Sequence, residues 1–310
     1  MQAPIQWLEV RLMKQTMNIQ VPLAALLTAI SVHAAPDLAR GAEPAQSPWV
    51  EGFNNKARLI AGRATGGPHG AMPLIYAGVE IAMPSGWKTY WRNPGEAGGI
   101  PPEFDVAGSE NLESATVLYP APHRLTDKAG TNIGYKDGVT FPILILPKDP
   151  SKLVVLKLKA TYGVCKDICV PAEAELGLEI PADIAASPEL ADVLATVPMS
   201  APNPSAAVMP GKDKSAPNPE TDPMLQRWRI DGTKLVLDVK DPGGGEGDAF
   251  LYSPDGLYLP MTKKISEGNG QVVFEADLSD GNKPDDLKGK SISVTLAGRK
   301  GQTETFIQLP

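Results

Sequence analysis

The chain holds two cysteines in 310 residues, Cys165 and Cys169, with three residues between them in the stretch 162–171, YGVCKDICVP. Sulfur exchanges two electrons by making and breaking a single covalent bond. A short loop at a strand end brings two thiols within about 4.4–6.8 Å between Cα atoms, the span of a disulfide. Three chemistries fit such a pair. Thiol–disulfide exchange requires an accessible thiolate and a resolving thiol beside it. Lys166 favours a thiolate at Cys165, whereas Asp167 and the lack of a histidine nearby in sequence oppose it. A structural cross-link is the second reading, weakened because closing so short a loop removes little unfolded-state entropy. Metal binding is the third, since soft thiolates suit Cu(I) or Zn(II). His69 in GGPHG and His123 in PAPHR have no spacing that brings them to the cysteines, so both read as satisfied or solvent-facing.

The elements that must position the pair are strands. Val154–Ala160 (VVLKLKA) leads into Cys165 and Ala172–Ile180 leads away with period-two alternation, which places both cysteines in the loop of a β-hairpin. Tyr162 and Tyr135 are the expected neighbours of the disulfide, where an aromatic ring packs on sulfur. Trp87, Tyr90 and Trp91 read as core or as a docking face. In a strand the two tryptophans would share one side and Tyr90 would take the other. Arg92 and Glu96 read as a solvated turn pair.

Further strands are expected at 57–62, 74–83, 115–119 and 139–146, separated by turn-rich segments such as Asn93–Gly99 (NPGEAGG). With 30 glycines and 31 prolines, the composition favours many short strands over long helices. The fold class is all-β, a sandwich first and a second small β-sandwich after it. A short helix is expected at 188–197, where Leu190, Val193, Leu194 and Val197 share a face. Residues 200–223, rich in Ala, Pro, Ser and Asn, bury too little apolar surface to fold and read as a linker. Strands at 227–230, 235–239, 249–252, 271–276, 291–296 and 304–309 make the second domain, which has neither cysteine nor histidine. Gly243–Gly247 (GGGEG) precedes a strand and reads as a hairpin loop, not a phosphate cradle. The boundaries are 1–34, 48–185, 186–223 and 224–310.

Residues 1–34 have the form of a signal peptide. Arg11 and Lys14 precede an apolar run from Ile19 to Ile30, and small residues follow up to a cleavage point after Ala34 or Ala35, which also removes His33. The run is shorter than the roughly 20 residues of a spanning helix and contains Pro22, so no stable membrane insertion is expected after cleavage. The expected compartment is periplasmic or extracellular, where disulfides persist. A net charge of −7, made one unit more negative by removing Glu9, Arg11 and Lys14, argues against nucleic acid as a partner.

Four ordered segments, SGWKTYWRNPG at 85–95, YPAPHRL at 119–125, IGYKDGVTFPI at 133–143 and the cysteine loop, resemble the N-terminal periplasmic domain of the DsbD thiol:disulfide interchange family and its ScsB-like relatives over about residues 49–181. The resemblance implies an immunoglobulin-like domain. It also implies a redox-active pair, Cys165 and Cys169, as catalytic residues with no cofactor, Cys169 attacking and Cys165 resolving. The implied partners are a membrane-embedded thiol reductant and periplasmic thioredoxin-fold oxidoreductases, in pathways that include cytochrome c biogenesis. The aromatic cap loop that shields the disulfide in that family corresponds here to 125–132 (LTDKAGTN), which has no aromatic residue. The alternative is a secreted, non-catalytic β-sandwich binding module, copper-handling for instance, with a structural disulfide.

Overall fold

Alternation of apolar and polar residues over the first half of the chain produces two six-stranded antiparallel sheets. The strands are β1 (Ala45–Gln46), β2 (Val50–Gly52), β3 (Asn55–Ala64), β4 (Leu74–Ala82), β5 (Lys88–Tyr90), β6 (Glu103–Asp105), β7 (Leu112–Val117), β8 (His123–Asp127), β9 (Gly130–Lys136), β10 (Gly138–Pro147), β11 (Val154–Cys165) and β12 (Cys169–Ile180). One sheet runs β1-β3-β4-β10-β7 with β2 beside β3, and the other β12-β11-β5-β9-β8 with β6 beside β11. The computed structural model describes residues 45–128, 130–199, 224–241, 246–299 and 301–310. The expected leader with its cleavage point and His33, the expected linker at 200–223, and residues 242–245 of the glycine loop lie outside them.

The inner faces meet in one core. Leu59, Val79, Ile81, Phe141 and Ile143 of the first sheet pack with Ile133, Tyr135, Leu156, Tyr162 and Val164 of the second. Each such side chain contributes about 1.5–3 kcal/mol on burial. β11 shows why the sequence takes this form: Val154, Leu156, Leu158, Ala160, Tyr162 and Val164 point inward, while Lys159 points outward to pair with Glu173 at 2.7 Å. On the outer face of the first sheet lies α1 (Pro188–Leu194), with Pro188 in its first turn and Ser187 Oγ accepting the Leu190 N–H at 3.2 Å. Leu190, Leu194 and Val197 pack there on Ile60 and Tyr76.

The second half gives a four-stranded sheet, β13-β14-β17-β16, and a three-stranded one, β15-β18-β19. The strands are β13 (Leu225–Asp231), β14 (Lys234–Lys240), β15 (Asp248–Tyr252), β16 (Lys263–Gly268), β17 (Gln271–Asp277), β18 (Ser291–Gly298) and β19 (Gly301–Gln308). Their core is built on Leu235, Leu237, Phe274, Val294 and Ile307. The fold is all-β, as expected from composition and spacing. Strands β1, β2, β5, β6, β8, β9 and β16 are additions to the sequence reading, each short or poor in alternation. Residues Gly41–Pro310 form one compact unit, and Phe250 and Met261 of the second half belong to the core of the first. Among the described residues no helix is long and apolar enough to cross a membrane.

Candidate functional site

β11 and β12 pair continuously from Val154 opposite Ile180 to Cys165 opposite Cys169. The two cysteines close the hairpin at its tip as a disulfide with an S–S bond of 2.04 Å. Their environments differ. Cys165 is 2% exposed, whereas Cys169, past the turn residues Lys166, Asp167 and Ile168, is exposed.

β5 lies along the other side of β11, with Lys88 opposite Cys165. Directly opposed residues of an antiparallel pair project to one face, and residues two apart along a strand do the same. Lys88, Tyr90, Cys165 and Cys169 therefore share the outer face of the sheet. The Tyr90 hydroxyl reaches both sulfurs, donating to Cys165 Sγ at 2.9 Å and lying 3.2 Å from Cys169 Sγ. Burial, reinforced by the charge of Asp127, raises the Tyr90 pKa, so its proton stays on the oxygen.

Absent side chains make room for this ring. A Cβ at Gly99 would sit 2.4 Å from Tyr90 ring atoms, and one at Gly163 would sit 2.9 Å from Cε2. Gly99 also has a φ of +154°, which favours glycine. The Gly163 N–H donates to the Ile100 carbonyl at 3.0 Å, which keeps the 98–100 segment against β11.

Lys88 organises the other side. It is 7% exposed. Its ammonium donates to Asp127 Oδ2 at 2.6 Å and to Asn132 Oδ1. The Asn132 amide in turn donates to the Gly98 carbonyl at 2.6 Å. One buried cation thus ties the β8–β9 hairpin to the loop behind Tyr90.

The residues expected beside the sulfurs are placed differently. The Tyr162 hydroxyl donates to Asn55 Oδ1 at 2.7 Å, and the Tyr135 hydroxyl donates to the Pro120 carbonyl at 2.8 Å. Both rings lie in the sandwich core, because residue 162 has the inward parity of Val164 and residue 135 that of Ile133. Lys166 is exposed and lies over Gly86, with Cε 3.7 Å from where a Cβ would be. Tyr90 is the aromatic neighbour that sequence reasoning missed. Its signal was its two-residue offset from Lys88 together with glycines at 99 and 163.

Two other readings change. β5 ends at Tyr90, so Trp87 and Trp91 do not share a strand face. Trp87 is half-buried with its ring 6.0 Å from Phe53, and Trp91 is buried with its ring 6.0 Å from Phe250. Arg92 and Glu96 are not a solvated turn pair. Arg92 pairs with Glu304, and Glu96 accepts the Met261 N–H at 3.3 Å. His69 lies beside Tyr76, with burial lowering its pKa, while His123 is exposed on β8. Among the described residues no group of three or more His, Cys, Asp or Glu is placed to hold a metal ion.

A disulfide at a hairpin tip, with one sulfur buried and the other exposed, is set within a stretch that other proteins share. Residues 75–180 match the family described as thiol:disulfide interchange protein DsbD, N-terminal. The stretch of DsbD N-terminal type contains both cysteines, Lys88, Tyr90, Asp127 and Asn132, and begins later than the span of the sequence resemblance. The match supports a thiol:disulfide interchange domain over this part of the chain. The chain is also similar to the crystal structure of the N-terminal periplasmic domain of ScsB from Proteus mirabilis, at 17% identity and a TM-score of 0.59. That likeness covers 86% of this chain and 98% of the other, so it extends over both halves of the fold. Comparison with curated proteins gives no match.

Proposed function

We propose that the protein is a periplasmic thiol–disulfide exchange protein that carries two electrons on Cys165 and Cys169. The observation that carries this reading is the unequal burial of the two sulfurs under the Tyr90 hydroxyl. Exchange needs one sulfur that a partner can reach and a second, protected one that resolves the mixed disulfide. Cys169 suits the first role and Cys165 the second.

In the reduced protein the Cys169 thiolate attacks one sulfur of a partner disulfide. An intermolecular S–S bond forms, and the partner's other sulfur leaves as a thiolate. Cys165 then loses its proton and attacks Cys169 Sγ. The Cys165–Cys169 bond forms, the partner's first sulfur is expelled, and two electrons have passed to the partner. The pair itself carries the electrons, so no diffusible cofactor takes part. The donor that restores the dithiol is a membrane-embedded thiol reductant, and the acceptors are thioredoxin-fold oxidoreductases.

A purely structural cross-link has less to do here. The hairpin is already held in register over twelve successive residue pairs, so the bond adds little definition to it. The test is trapping. Reduced Cys165→Ser, with Cys169 free, is expected to accumulate a mixed disulfide with an oxidised thioredoxin-fold protein. Cys169→Ser is expected to accumulate far less. Equal failure of both variants to form the adduct would overturn the proposal.

A further inference from the structure

Both segments that frame the disulfide are held from the second half of the chain, each by an arginine. Tyr90 is followed directly by Trp91, Arg92 and Asn93. Trp91 is 1% exposed and packs on Phe250 and Tyr252, with ring centroids 6.0 and 6.2 Å away. The Arg92 guanidinium lies between aromatic rings, 4.7 Å from the centroid of Trp91 and 4.4 Å from that of Tyr252, and forms an ion pair with Glu304 of β19. The Asn93 side chain donates to the Leu251 carbonyl at 2.8 Å.

The second segment is the β8–β9 hairpin. Arg124, three residues before Asp127, grips Asp248 with two nitrogens at 2.5 and 2.9 Å and donates to Thr262 Oγ1 at 2.8 Å. The held segments then meet at the site through Lys88 and Asp127, 2.6 Å apart.

We propose that Arg92 and Arg124 are positioning residues through which the C-terminal sandwich sets the geometry of the Cys165–Cys169 site. The inference deepens the exchange function proposed above and rests on it. The Arg92–Glu304 pair is 11% and 13% exposed at its two side chains, and the Arg92 Nε has no hydrogen-bond partner among the described residues. Burying such a pair is poor economy for stability alone, since apolar residues of similar size would do as well or better. What a buried, directional pair adds is a fixed register. Here the register fixed is that of Tyr90, two residues before Arg92, and of Asp127, three residues after Arg124. Loosening either grip frees the Tyr90 hydroxyl from the sulfurs and opens the disulfide to small thiols.

The experiment uses the full mature chain with Glu304→Gln, Asp248→Asn and the double variant, all altered far in sequence from the cysteines. Two quantities are read on protein shown to be folded by circular dichroism. These are the rate at which dithiothreitol reduces the disulfide, and amide hydrogen exchange in peptides covering 86–93 and 123–136. Each single variant is expected to be reduced roughly three- to tenfold faster, with faster amide exchange in those peptides, and the double variant faster still. Glu304→Asp, which keeps the charge, is expected to return toward the wild-type rate. Lys234→Gln, which breaks an exposed ion pair within the C-terminal sandwich, is expected to change neither quantity. Reduction within about twofold of wild type and unchanged amide exchange in both single variants would overturn the inference. A wild-type disulfide that resists dithiothreitol until unfolding would instead refute the exchange function, and amide exchange would still decide whether the arginines position the two segments. If a variant fails to fold, Arg124→Lys, which retains the charge but not the two-nitrogen grip, takes its place with the same expected direction.

Discussion

The Tyr90 hydroxyl lies 2.9 Å from Cys165 Sγ and 3.2 Å from Cys169 Sγ, so one proton donor serves both members of the pair. In the oxidised protein this contact covers the disulfide. In the dithiol the same hydroxyl is placed to stabilise whichever sulfur becomes a thiolate. Because burial keeps Tyr90 protonated, it donates throughout the pH range in which thiols titrate.

Tyr90→Phe removes that donor and keeps the ring. A hydrogen bond to a charged group contributes about 1.5–3 kcal/mol, so the lower thiol pKa of the reduced pair is expected to rise by about one unit or more. Ultraviolet titration of thiolate absorbance checks this. An unchanged pKa would remove Tyr90 from the mechanism.

Tyr162→Phe is the matching control. It loses the hydrogen bond to Asn55 within the core and is expected to cost about 1–2 kcal/mol of stability while leaving the thiol pKa and the exchange rate as they were. Denaturant unfolding and the same thiol titration measure both. The pair of variants separates an aromatic residue beside the sulfurs from one that supports the fold.

Gly99→Ala drives a methyl group into the Tyr90 ring, 2.4 Å from its nearest atoms, at a backbone position with φ +154°. Overpacking of this kind costs about 1–3 kcal/mol, and the ring must move away from the sulfurs to relieve it. The disulfide is expected to be reduced faster by small thiols in a protein that remains folded. Reduction at the wild-type rate would show that Tyr90 does not shield the bond.

Three tyrosines, Tyr76 and Tyr162 fully buried and Tyr119 half-buried, give the fold an alkaline limit. Desolvation raises Tyr76 and Tyr162 to about 12, and burial does the same for Tyr119, partly offset by Arg92. Each folded-state pKa lies above the ordinary value of 10.0, so the native state holds these protons more tightly than the unfolded chain. Their stabilisation is complete below about pH 10 and is lost as pH rises toward about 12. Denaturant unfolding between these limits, read with tyrosinate absorbance, is expected to show falling stability; a flat profile would contradict the burial.

The strands that carry the cysteines were legible because β11 and β12 alternate cleanly and are long. β5, β8 and β9 were not. β5 is three residues of Lys, Thr and Tyr, all buried, and its place is fixed by neighbours far along the chain rather than by its own pattern. The cysteine pair was legible as chemistry from residue type alone. Its setting was not, because the preference for Tyr162 and Tyr135 over Tyr90 took no account of strand parity, which sends residue 162 inward with Val164 and residue 90 outward with Lys88. Arg92 and Glu304 lie 212 positions apart, and nothing local to either segment marks them as a pair.

The most direct test of the account is the reduction potential of Cys165–Cys169 in the purified protein, obtained by equilibration with defined thiol buffers and counting free thiols at each poise. Exchange function calls for a value between about −120 and −270 mV, the range of exchange-active proteins. A value below about −300 mV, with the bond resisting reduction until the protein unfolds, would identify a structural disulfide and contradict the account.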